Sequence, residues 1–197
     1  MVSFFYKVGK WCYNCYGGTV YKNINKTYMV RKIEKRLKRL QKQVSRKYEK
    51  NKKGKEYVKT KNIIKLEKQI QQVHRRLANI RNNYLHQTTT NIVKTKPYRV
   101  VIEDLAVSNM MKNKHLSDAI RKQGFSEFRR QLEYKCNFRG IKFVVADRFY
   151  PSSKSCSQCG KIKKDLKLKD RVYKCSCGLN IDRDLNASIN LSKYKSA

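Results

Sequence analysis

Two close cysteine pairs, Cys156/Cys159 and Cys175/Cys177, are separated by fifteen residues and constrain the chain more than any other feature. A glycine follows each pair, at positions 160 and 178, so the backbone can turn tightly against a bound ion. Four thiolates in that pattern offer the closed tetrahedral cage of a structural zinc site. The second pair has one intervening residue where two are usual, and such a pair still chelates one metal through an altered turn. The chain has seven cysteines, and its start, MVSFFYKVGKW, has too short an apolar run and too early a Lys7 to read as a secretory signal. A reducing cytoplasm is therefore the expected compartment, and close cysteines there serve as metal ligands or redox pairs more often than as disulfides. The expectation is structural zinc on Cys156, Cys159, Cys175 and Cys177, with a redox dithiol or inert thiols as the alternatives. Cys12 and Cys15 repeat the spacing without a second pair, and Cys136 reads as a core residue.

The 48 Lys+Arg against 14 Asp+Glu leave a formal charge of +34. An excess of that size opposes compaction by self-repulsion and calls for a polyanionic partner. No apolar run approaches the roughly 18 residues that a spanning helix needs, so no membrane association is expected. Nucleic acid is the favoured partner, with a ribosomal-protein-like charge distribution as the plainer reading.

Residues 1–16 crowd aromatic side chains around Cys12 and Cys15 with no clean period. Gly17-Gly18 then turns the chain, and Thr19-Val20-Tyr21 begins a short strand. Val30, Ile33, Leu37, Leu40 and Val44 form one apolar seam at helical spacing; Ile63, Leu66, Ile70, Val73, Leu77, Ile80 and Tyr84 form a second. Joined by Asn51–Lys55, the two seams predict an antiparallel helical hairpin. Between Lys26 and Gln87 it carries 21 Lys+Arg against four Glu, an excess suited to nucleic-acid contact. Tyr98–Glu103 reads as a buried strand, Ser108–Leu116 as a loop, Phe125–Cys136 as a helix and Ile141–Val145 as a second buried strand. Strand, helix and strand over this distance imply a parallel pair with a right-handed crossover. That places Glu103 and Asp147 at the carboxyl edge of the sheet, where open α/β sheets bind ligands. Behind the second cysteine pair, Asp182-Arg183-Asp184 opens a short apolar helix. A helix-start Asp either caps the helix or, with a second convergent carboxylate, holds a divalent cation.

The runs VIEDLAVSNMMKN, FSEFRRQLEYKC, DRFYPSSKSCSQCG and YKCSCGLNIDRDLNASINL resemble the C-terminal half of the TnpB (OrfB) proteins of insertion sequences, relatives of the type V CRISPR nucleases. The resemblance covers about residues 19–191. It implies an α/β, partial RuvC-like (RNase H-type) fold with a basic helical hairpin and an inserted zinc ribbon. It also implies Mg²⁺-dependent, RNA-guided cleavage of DNA in transposon-associated proteins often named transposases. Glu103 then matches the second catalytic carboxylate and Asp184 the third, with Arg183 and Asn186 as pocket neighbours and the four cysteines as ribbon ligands. The family's first catalytic acid, an Asp in a Gly-x-Asp-x-Gly strand, has no counterpart: no Asp precedes Asp104. Residues 1–16 do not resemble the two strands that should precede residue 19, so the strand ending in Glu103 is expected to have an open edge.

The expected organisation is a divergent segment at 1–18, a strand end with the basic hairpin at 19–97, and a RuvC-like strand–helix–strand at 98–149. The zinc ribbon follows at 150–181 and the last acidic motif with its helix at 182–197. The expected function is a nucleic-acid-associated, cytoplasmic relative of an RNA-guided DNA endonuclease that binds DNA and guide RNA and is catalytically impaired. The alternatives are a non-catalytic regulator of an intact copy, or a non-functional remnant.

Overall fold

The aromatic opening of the chain forms strands. In the computed structural model, which describes residues 2–7, 10–14, 20–167 and 170–195 with side chains from Tyr21 onward, β1 spans Val2–Lys7, β2 Lys10–Asn14 and β3 Val20–Lys22. This corrects the expectation of an open edge. β1 lies parallel to β6 (Arg99–Glu103), pairing Val2 with Val100 and Phe4 with Ile102, while β2 pairs antiparallel with β1 and β3. With β7 (Lys142–Ala146) parallel to β6 on its other side, the sheet order is β3-β2-β1-β6-β7. The reason is propensity: aromatic and β-branched residues in VSFFYK and KWCYN fit a pleated surface, with or without the motif that marks these strands in the family. Cys15 lies outside the described residues.

The chain divides into two compact units, residues 24–84 and residues 1–23 with 85–197. The first is the expected hairpin. After a 3₁₀ turn at Ile24–Lys26, helix α1 runs Tyr28–Lys50, and β4 (Lys52–Lys53) and β5 (Glu56–Tyr57) make a small antiparallel tip. Helix α2 then runs Lys61–Lys94, ten residues beyond Tyr84, the last residue of the predicted seam. Val30, Ile33, Leu37 and Leu40 of α1 bury against Val73 and Leu77 of α2, with Leu66, Ile70 and Ile80 beside them. Three of the hairpin's four glutamates serve internal contacts: Glu34 with Arg81 at 2.9 Å, Glu67 with the Tyr48 hydroxyl at 2.6 Å and Lys59 at 3.2 Å, and Glu49 with the Tyr57 hydroxyl at 3.4 Å. These acids neutralise little of the positive surface.

In the second unit, β6 leads into α3 (Val107–Met111), α4 (Ser117–Gln123) and α5 (Phe125–Phe138) before β7. The short α3 overlaps the predicted loop Ser108–Leu116 and replaces its first four residues with helix. Successive side chains of β6 alternate between the sheet faces. Val100 and Ile102 join Leu85, Ile92 and Val93 of α2, Phe128, Leu132 and Cys136 of α5, and Ile141 in one cluster. Val101, on the other face, joins Val144, Ala146 and Leu191. A polar chain also ties α2 to α5. Thr89 donates to Gln131 (3.0 Å), Gln131 to Glu127 (2.8 Å), and Lys135 reaches Thr89 and Thr90 at 2.6 and 2.9 Å. Hydrogen bonds from Arg130, then from Gln131, hold the Glu127 carboxyl down at about 2.

Gly124 joins α4 to α5 with φ +66°. A Cβ there would lie 3.1 Å from Leu85 Cδ1, adding crowding to a left-handed conformation. Gly124→Ala is expected to lower stability by about 1–2 kcal/mol, measured as a shift in urea midpoint at unchanged slope.

Candidate functional site

The last described helix, α6 (Arg183–Lys193), follows β9 (Asn180–Asp182), which pairs with β8 (Val172–Lys174). Asp182 is its N-cap: its carboxylate accepts from the amides of Asp184 (2.8 Å) and Leu185 (3.2 Å), satisfying donors that a helix start leaves over. Asp184, Ala187, Ser188 and Leu191 recur at helical spacing and are all buried, so one stripe of α6 faces the protein interior. Leu191 packs with Val101 of β6, which fixes that stripe on the Val101 face of the sheet.

Glu103 lies on the same face, because residues 99, 101 and 103 share one side of the strand. Arg99, at the start of β6, donates to the Ser192 carbonyl near the end of α6 at 2.8 Å. The Tyr194 hydroxyl, just past the helix, accepts from the Asp147 amide at 3.1 Å, so the end of α6 meets both β6 and the segment after β7. Asp184 is 3 % exposed, with Arg183 Nε at 3.8 Å. The Glu103 carboxylate accepts from the Ser152 hydroxyl at 3.1 Å. Asp104 is bound by Arg148 at 2.6 Å and Arg129 at 3.6 Å. Asp147 accepts from the Phe149 amide at 2.7 Å, a turn contact at the exposed end of β7. On the other side of β6, the register position beside Glu103 falls one residue past Phe4, at Phe5, and β1 contains no acid.

The four cysteines converge. All four Sγ atoms lie within 4.8 Å of one another, with Cys156–Cys177 and Cys159–Cys175 at 3.6 Å. Tetrahedral thiolates at a Zn–S distance of about 2.3 Å stand about 3.8 Å apart, so the cluster has the size of a metal cage. The Gly160 amide donates to the Cys156 carbonyl at 2.9 Å and the Gly178 amide to the Cys175 carbonyl at 3.1 Å, closing the two turns. Their φ values of 77° and 93° suit glycine alone. A backbone N–H from Cys177 is the main cause that lowers the Cys175 thiol to about 6, while burial and the neighbouring thiols push Cys177 up to about 12. Tyr173, 1 % exposed, is positioned to donate to the Lys154 carbonyl at 3.0 Å and the Lys161 carbonyl at 3.3 Å. It pins the first knuckle to the β8–β9 hairpin.

The sequence reading missed how the cysteine cluster is fastened to the carboxylates. Asn186 is fully buried; its amide donates to the Ser155 carbonyl at 2.7 Å and accepts from the Ser157 amide at 2.9 Å. Asn190 donates to the Ser152 and Ser155 carbonyls, both at 2.7 Å. The Asn186 amide clamps the loop entering the first knuckle. The available signal was two asparagines four residues apart on an apolar helix stripe, a pattern that requires internal partners. Asn186→Ala leaves a buried carbonyl and amide without this partner and is expected to cost about 1–3 kcal/mol, read as faster hydrogen exchange at residues 155–157 and in α6.

Among the described residues no helix is long and apolar enough to cross a membrane. The Cas12f1-like TNB domain family matches residues 125–191, which span α5, β7, the cysteine cluster and most of α6. A protein of Streptomyces pristinaespiralis named "Putative RNA-guided DNA endonuclease" is 42 % identical over 130 residues, covering 66 % of this chain and 32 % of the relative. InsQ of Escherichia coli K12, which carries the same name, is 34 % identical over 190 residues, covering 88 % of this chain and 44 % of the relative. The fold matches that of a CRISPR-Cas12f ternary complex with a TM-score of 0.70 at 23 % identity, over 100 % of this chain and 39 % of that one. The chain thus spans less than half the length of these relatives. It is a relative of the TnpB-like and Cas12f1-like proteins, whose resemblance its motifs had carried, and corresponds to a part of their length.

Proposed function

We propose that this chain is a nucleic-acid-binding protein with a structural zinc ribbon, descended from an RNA-guided DNA endonuclease, whose carboxylate site cannot cleave DNA unaided. The observation that carries this reading is the acid-free strand β1, which runs beside Glu103 where the family resemblance calls for a catalytic Asp. Glu103 and Asp184 are the remaining carboxylates of that set. Zinc, when bound to Cys156, Cys159, Cys175 and Cys177, supplies a fixed tetrahedral cross-link and no chemistry of its own.

Two carboxylates hold Mg²⁺ less well than three. In-line attack on a phosphodiester relies on metal ions to stabilise both the attacking and the leaving oxygen. A barrier raised by several times about 1.4 kcal/mol loses the rate by as many factors of ten. Labelled single- and double-stranded DNA incubated with the protein, Mg²⁺ or Mn²⁺ and a candidate guide RNA is expected to remain intact. Cutting that disappears in both Glu103→Gln and Asp184→Asn would overturn the proposal.

Binding itself is supported by the basic hairpin, and the solved relative that covers 97 % of this chain is described as a Cas12f1-sgRNA-target DNA complex. A protein that neutralises many phosphates releases their counterions, so affinity for DNA or RNA is expected to fall steeply and linearly on a log–log plot against salt. Loss of about 10³-fold or more between 50 and 200 mM salt, measured by fluorescence anisotropy, is the expected result.

A further inference from the structure

At the amino-terminal edge of the sheet, opposite the edge that carries Glu103, lies an open groove of about 580 Å³ lined by Lys96, Pro97, Tyr98, Arg139, Ile141 and Lys142. Tyr98 is 82 % exposed although it directly precedes a buried strand, and Phe138, the last residue of α5, is 85 % exposed. Both sit where a parallel crossover returns the chain to the start of a strand. The β6–β7 register pairs Arg99 with Lys142, which sets Tyr98 alongside Ile141. Lys96, Arg139 and Lys142 are exposed, and no acidic side chain lines the groove among the described residues.

Two further features indicate a surface shaped for a ligand. Lys96 closes α2 with φ +45°, the one described non-glycine residue in the left-handed region, at a position where glycine is favoured. Strain of this kind collects at functional positions more than elsewhere. Pro97 is buried and has a fixed φ, so the backbone that presents Lys96 and Tyr98 is stiff.

We infer that this groove binds single-stranded nucleic acid, with one base stacked on Tyr98 and the flanking phosphates held by Lys96, Arg139 and Lys142. An exposed aromatic face among cations is the arrangement that sequence-tolerant single-strand binders use. A duplex keeps its bases stacked and offers no free face to Tyr98. The inference rests on the proposed nucleic-acid binding and adds a location and a strand preference to it.

The test uses the full chain with a short iodouridine-bearing oligonucleotide and the same sequence as a duplex. Irradiation is expected to cross-link Tyr98 to the single strand, identified by peptide mass. Tyr98→Ala is expected to weaken single-strand binding about 5- to 100-fold while changing duplex binding less than twofold. The double variant Arg139→Ala/Lys142→Ala should flatten the single-strand salt slope by about 1.4, at about 0.7 for each phosphate that is no longer neutralised. Lys96→Gly removes the strain together with the charge, so it should raise the urea midpoint and still weaken binding; a folding defect would move both in the same direction. Wild-type affinity and salt slope in all three variants, with binding abolished instead by hairpin charge reversals, would overturn this site and leave the broader reading standing. A wild-type chain that binds no nucleic acid at low salt would sink both. A self-associating chain that Tyr98→Ala converts to monomer, without change in oligonucleotide affinity, would assign the groove to a second copy and overturn the inference.

Discussion

On the zinc reading proposed above, removal of the metal with a strong chelator is expected to unfold the two cysteine knuckles and loosen α6 with them. Four thiolates hold the two knuckles together, and the ribbon has little apolar core of its own beyond Tyr173 and Cys156. Structural zinc contributes an apparent binding free energy of about 10–16 kcal/mol in zinc-finger peptides, comparable to or above the whole stability of an ordinary domain at about 5–15 kcal/mol. The purified protein is expected to hold one zinc per chain, released by a strong chelator or by Cys175→Ser. On release, protection from hydrogen exchange should vanish across β8, β9 and the loop at 152–157. It should fall in α6 as well, because Asn186 and Asn190 lose the carbonyls that they bind. Metal-free protein with unchanged protection at both places would show that the cysteines are not a structural metal site. Loss confined to the ribbon, with α6 unchanged, would show that the asparagine clamp transmits nothing.

The second large effect lies in the sheet. Leu132 of α5 is fully buried against the Val100 and Ile102 face, and Leu132→Ala removes three carbon atoms from a packed site. Such truncations cost about 2–5 kcal/mol, the lost transfer energy plus the cavity left behind. Leu116→Ala, at a residue 36 % exposed, is the matched control and should cost far less. Zinc-loaded protein unfolded in urea gives the difference as a shift in midpoint. Equal costs at the two positions would mean that α5 does not pack on the sheet as described. A high net charge sharpens the contrast, since +34 erodes stability throughout and leaves little reserve against a core cavity.

The helical hairpin, the buried strands and the cysteine set were legible because each is a local pattern. The apolar seams repeat at three and four residues, the strands are unbroken β-branched runs, and the four ligands sit within 22 residues of one another. The early strands were hidden by an expectation about their motif. VSFFYK and KWCYN have the composition of strands, yet they lack the Gly-x-Asp-x-Gly marker by which the first of them would have been recognised.

From the sequence alone it was determined that Cys156, Cys159, Cys175 and Cys177 have the spacing of a metal-ligand set, that no Asp stands before Asp104, and that the chain is strongly basic. Only the tertiary structure decided that β1 lies beside Glu103, that Asp184 shares the Val101 face with it, and that Asn186 and Asn190 fasten the ribbon to α6. It alone gathered Lys96, Tyr98, Arg139 and Lys142 around one groove. Spacing reveals partners that a single turn or helix brings together. Groups 30 to 90 residues apart meet only after burial of the two sheet faces has fixed which element packs on which.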